Sequence, residues 1–170
     1  MKKLVSCLLA GVCALATMGL SQQAKAESRD AQDIFALEEN FAAAVNAKDL
    51  NGIMKIYTTG PELLVYDLST PRQFMGFDAY KKDWQDTLAM MGKDLKFDID
   101  DVSVTADGKL AWSHSIQHMT WTGADGKPGE LTVRVTDCFR KIGSTWFIVL
   151  EHVSVPIDMA TGKPDLMSKP

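Results

Sequence analysis

Two side chains in the second half of this 170-residue chain could work together on a proton, His114 and Asp137. His114 lies in the run Leu110 to Thr122, where strand alternation groups it with Trp112, Ile116 and His118. That face is the more apolar of the two, so His114 is expected to look inward. It would serve as a ligand hydrogen-bonder, as a general base near neutral pH, or as a satisfied core histidine. Asp137 shares its alternation set with Leu131, Val133, Val135 and Phe139, so the core face of that strand carries one carboxylate. Such a group must be hydrogen-bonded, charge-paired or protonated. A His114–Asp137 pair across neighbouring strands is geometrically open. It would hold one imidazole tautomer for catalysis, or be purely structural.

The other histidines and the tryptophans are less informative. His118 is expected nearer a rim. His152 follows Glu151 in a strand whose two faces are both apolar, so the pattern does not say which side it takes. Trp84, Trp112, Trp121 and Trp146 are read as core or pocket wall. Metal binding is disfavoured: His114 and His118 are four apart on a strand, roughly 13 Å between Cα atoms, too far for one ion. No HExxH, CxxC or glycine-rich phosphate loop is present, so no cofactor is expected. A net charge of −4 argues against a nucleic-acid footprint, which needs a basic face.

The elements that must position these groups follow a simple order. Lys2-Lys3, an apolar run from Leu4 to Leu20 and Ala24-Lys25-Ala26 read as a secretory signal peptide over residues 1–26. The expectation is an exported protein, periplasmic or secreted, with no membrane association after cleavage. Cys138 then remains alone, so no internal disulfide is possible. Residues 27–49 read as a helix capped by Ser28 or Asp30, with Ile34, Leu37, Phe41 and Val45 at helical spacing. A shorter helix follows from Leu50, then a short strand from Glu62 to Leu68. A helix runs from Phe77 to Met91, with Tyr80, Trp84 and Leu88 on one side and Gly92 as its stop. Strands are expected over 96–105, 110–122, 131–141 and 145–155, the last two joined at Ile142-Gly143-Ser144. The tail, 161–170, has no core pattern and is expected over the surface. Helices segregated from a run of strands imply an α+β domain over 27–160, a curled antiparallel sheet around the N-terminal helices with a conical pocket between them.

This layout resembles the SnoaL-like and ketosteroid-isomerase-like branch of the nuclear transport factor 2-like superfamily, whose fold is also described as cystatin-like. The carrying residues are Tyr66-Asp67-Leu68, Gly76, Trp84, Ala111-Trp112-Ser113-His114-Ser115, Arg134-Val135-Thr136, Trp146 and Glu151-His152-Val153-Ser154. The final His-x-Ser stretch is also similar to the association domain of calcium/calmodulin-dependent protein kinase, which places a charged residue facing its pocket near the position of Asp137. The resemblance to ketosteroid isomerases implies Asp67 as a base beside a carbonyl, with Tyr57 or Tyr66 donating to the developing enolate; Asp67 as a strand-end cap is the plainer alternative. Three functional readings stand together. The first is an exported domain binding a small apolar or carbonyl-containing molecule, with Tyr57, Tyr66, Trp84, Trp112, His114, Asp137 and His152 on the pocket. The second is an acid–base enzyme using His114, Asp137 and Asp67. The third is an oligomerisation module, with a homodimer expected in each case.

Overall fold

The structure, a computed structural model, describes residues 28–168, so the signal-peptide segment lies outside the described residues. Ser28 accepts a hydrogen bond from the Ala31 amide and caps α1 (Arg29–Asn46). Ala31, Ile34, Glu38, Phe41 and Val45 form its buried stripe, at the three- and four-residue spacing that keeps side chains on one face. A short α2 (Leu50–Met54) leads to β1 (Leu64–Tyr66) and β2 (Phe74–Met75). Helix α3 (Phe77–Met90) begins after Gly76 and stops at Gly92. At Gly92 the backbone has φ +57°, and a Cβ would stand 2.4 Å from the Thr122 carbonyl, so only glycine fits.

The rest is sheet: β3 (Lys93–Asp107), β4 (Leu110–Thr122), β5 (Pro128–Ile142) and β6 (Thr145–Ser154). The six strands lie in the order β2-β1-β6-β5-β4-β3. The pairings are antiparallel except β1 with β6, which is parallel. The fold is therefore the expected α+β layout, with β3 and β5 longer at both ends than the alternation suggested, β4 as expected, and β1 and β6 shorter. Aromatic rings from α1, α3 and the sheet fill the core in edge-to-face contacts, Phe41 with Trp84 at 5.7 Å and with Phe97 at 5.8 Å. The tail turns back at Asp158–Gly162, and the Leu166 carbonyl accepts from the Thr132 amide. Among the described residues no helix is long and apolar enough to cross a membrane.

One irregularity decides what β6 presents. Cys138 pairs with Leu150, but Phe139 pairs with Ile148, so Val149 is an extra residue. This β-bulge shifts the alternation by one. Trp146 and Ile148 point into the core below it, and Glu151 points in above it.

Candidate functional site

The helices and the concave face of the sheet enclose a cavity of about 170 Å³. Its walls are mainly apolar: Phe41 from α1, Trp84 from α3, Met119 and Trp121 from β4, Leu131 and Val133 from β5. The polar groups that reach it are Asp67, Ser69, Tyr80, Asp83, Gln117 and Glu151.

Glu151 is 5% exposed and is held from two sides. Tyr57 donates to its Oε2 at 2.7 Å, and Tyr80 donates to its Oε1 at 2.5 Å. The Tyr80 hydroxyl also lies 3.4 Å from Asp67 Oδ2, which links the floor of the cavity to its mouth. There Asp67 Oδ1 accepts from the Leu68 amide at 2.5 Å, and Ser69 Oγ donates to Asp83 at 3.1 Å.

A band of further acids continues behind Glu151. Asp137 is 2% exposed and stands directly opposite Glu151 in the β5–β6 pairing, with Ser113 opposite it on β4. Ser113 Oγ lies 3.1 Å from Glu38 Oε1, so α1 joins the same band. No lysine, arginine or histidine pairs with Glu38, Asp137 or Glu151 among the described residues. Buried carboxyls without a cation retain protons. Burial pushes Glu151 up to about 7 against the opposing pull of its two tyrosine hydrogen bonds. It pushes Glu38 to about 7 as well, against the Ser113 hydrogen bond. Burial, then the charges of Glu151 and Glu38, lift Asp137 well above the carboxylate range, and its carboxyl hydrogen-bonds that of Glu151. Burial also raises Asp67, and Asp83 beside it is raised by burial and by the Asp67 charge. The site can therefore exchange protons near neutral pH within an apolar enclosure.

The candidates read from the sequence divide by face. Tyr57, Asp67, Trp84 and Asp137 are on the inside, although Asp137 lies behind the cavity wall and Tyr57 reaches it only through Glu151. His114, Trp112, Tyr66 and His152 do not line this cavity, which corrects their expected positions; Tyr66 and His152 instead line a separate open groove with Asp67, Ser69 and Arg72. In β4 the buried residues are Ala111, Ser113, Ser115, Gln117 and Met119, so Trp112 and His114 face solvent. His114 sits opposite Thr136, not Asp137, and the His114–Asp137 pair does not exist. The reason is that the inner face of β4 is small and polar where it meets the acid band. The more hydrophobic alternation set is the outer one. His152 is exposed and packs edge-on to Tyr66, ring centroids 5.8 Å apart, across the β1–β6 pairing. His118 is half-buried on the same outer side, with Nδ1 2.9 Å from Thr132 Oγ1.

Glu151, Tyr80 and Glu38 were missed as site residues. Glu38 had a readable signal: it falls between Ile34 and Phe41 at core spacing, an acid in an apolar stripe. Tyr80 was placed correctly on the apolar side of its helix, but its hydroxyl partner was not visible. Glu151 gave no signal, because the bulge at Val149 breaks the alternation that would have assigned it.

No curated protein matches the chain significantly. Among solved structures, a nuclear transport factor 2-like protein of unknown function from Pseudomonas putida is 28% identical, with TM-score 0.74 over 83% of this chain and 96% of that one. A ketosteroid isomerase-like protein from Erwinia carotovora shares the fold at 19% identity, with TM-score 0.63 over 75% and 96%. So does a protein of unknown function with a cystatin-like fold from Nostoc punctiforme, at 13% identity and TM-score 0.60 over 75% and 91%. The SnoaL-like domain matches residues 34–158, and the chain belongs to that family.

Proposed function

We propose that this protein binds a small, largely apolar molecule in the cavity and contacts its polar end with Glu151. The observation that carries this reading is the buried Glu151–Tyr80 pair at the floor of an otherwise apolar enclosure. Trp84 Nε1, on the same wall, is buried without a partner and is available to a ligand. An apolar cavity of about 150 Å³ accommodates benzene, so the space suits a ring-sized body. Native mass spectrometry of the protein purified from its host, followed by denaturing extraction, tests this. A retained small molecule that is lost in a cavity-filling Leu131→Trp variant supports it. No retained molecule, and no binding from an apolar panel, contradicts it.

A second reading, an acid–base enzyme acting beside a carbonyl, is favoured by Glu151 itself. A carboxyl held at about 7 suits a general base at neutral pH. The catalytic set would then be Glu151 as base with Tyr80 and Asp67 beside it, in place of His114. Turnover of any carbonyl substrate should vanish in Glu151→Gln and survive in His114→Ala.

Two further proposals rest on sequence and surface. The N-terminal basic, apolar and small-residue pattern supports export with cleavage before Glu27, which N-terminal sequencing of the mature protein checks. The outer sheet face, with Trp112 49% exposed beside half-buried Ile116, Phe147 and Leu150, supports a homodimer. Sedimentation of the wild type against Trp112→Glu reads it out.

A further inference from the structure

Resting on the pocket reading above, we propose that the cavity selects a ring-sized amine in its ammonium form over neutral and anionic molecules of the same shape. The walls hold three carboxyls, those of Asp67, Asp83 and Glu151, and, among the described residues, no lysine, arginine or histidine. Lys82, the cation next to Asp83 on α3, is 65% exposed and paired to Asp86 at 2.5 Å. The donors around the carboxyls are already committed. Both tyrosine hydroxyls donate to Glu151, and Ser69 donates to Asp83. The polar end of the cavity therefore presents mainly acceptor oxygens, beside the donors Trp84 Nε1, buried without a partner, and the Gln117 amide.

Behind the wall, Asp137, 2% exposed, stands against Glu151 and keeps Oδ1 with no partner, so the carboxyl that reaches the cavity has a second acid at its back. The groups that face Glu151 are Glu38 from α1, Tyr57 after α2, Asp67 after β1, Tyr80 from α3 and Asp137 from β5, and none is a cation. A bound ammonium supplies the missing positive charge and lets a carboxyl ionise. The walls suit its body and charge together. Phe41, Tyr80, Trp84 and Trp121 present aromatic rings, whose faces attract cations, and Met90, Met91 and Met119 add polarisable sulfur. A carboxylate ligand would be repelled by Asp67, Asp83 and Glu151 wherever these are ionised.

The test is calorimetric titration of the purified protein at pH 8 with three matched probes, benzylamine, benzyl alcohol and benzoate. Benzylamine is expected to bind at least ~10-fold tighter than benzyl alcohol, and benzoate not to bind. Glu151→Gln and, at the mouth, Asp67→Asn are each expected to erase the preference for the amine while benzyl alcohol still binds. Either variant, checked for folding by circular dichroism, suffices. Benzyl alcohol binding as tightly as benzylamine would overturn this inference and leave the apolar-pocket reading standing. Binding of benzoate would overturn it as well. Absence of binding by all three probes would overturn both.

Discussion

The inner and outer faces of the β4–β5 ladder differ in a way that hydropathy alone inverts. The inner face of β4 carries Ser113, Ser115 and Gln117, all buried, while Trp112 and Leu110 on the outer face are 49% and 60% exposed. On the inner face Ser113 hydrogen-bonds Glu38 of the acid band, and an apolar residue there would leave that carboxyl unsatisfied. The outer face has no such demand. A strand that borders a polar-floored cavity can therefore place its more hydrophobic set outside, and which side is inner must be read from the partner elements.

Four predictions sharpen this contrast, from the largest effect to the smallest. Phe139→Ala, on the inner face at 1% exposure, should cost about 3–5 kcal/mol in urea unfolding, while Trp112→Ala outside should cost about 1 kcal/mol or less. Comparable losses at the two positions would erase the distinction between the faces. Next comes the pH dependence of the acid band. Glu38 and Glu151 rise from 4.5 in the unfolded chain to about 7 when folded, so the folded state keeps protons that the unfolded state releases. The stability they confer is complete below about pH 4.5 and is lost as pH rises to about 7, a fall of the order of 3 kcal/mol for each group. Thermal melts from pH 4.5 to 8 should decline accordingly. Glu151→Gln should flatten the decline and melt higher than wild type at pH 8.

Tyr80→Phe is the third. At pH 8 it removes a hydrogen bond to an ionised carboxylate and should cost about 1.5–3 kcal/mol, less at pH 5 where Glu151 is neutral. Equal losses at the two pH values would mean that Glu151 does not change charge between them. The smallest effects belong to the outer histidines. His114→Ala and His152→Ala should each stay within about 0.5 kcal/mol and leave ligand binding unchanged. A loss of binding in His114→Ala would return that residue to the site.

The fold was legible because its signals are long and local: the Ile34–Phe41–Val45 stripe, the turn at Gly143 and the β-rich second half. The inward carboxylate Asp137 was legible for the same reason, as one polar residue in an apolar alternation. The rest of the site was not, because it depends on events that alternation does not record. The bulge at Val149 turns Glu151 inward, and the hydroxyls of Tyr57 and Tyr80 meet it from elements 94 and 71 residues away in sequence. His114 attracted attention as an ionisable group among aromatics. The aromatics beside it mark the outer face.

The central claim is that Glu151 titrates near neutrality at the floor of the cavity. Carbon-13 NMR titration of the glutamate and aspartate carboxyls, with Glu151→Gln for assignment, tests it directly. A carboxyl resonance with a midpoint close to 7 that disappears in Glu151→Gln is the predicted result. If every carboxyl that responds to that substitution instead titrates below about pH 5, in the ordinary carboxylate range, the acid band is not proton-rich and the account of the site is wrong.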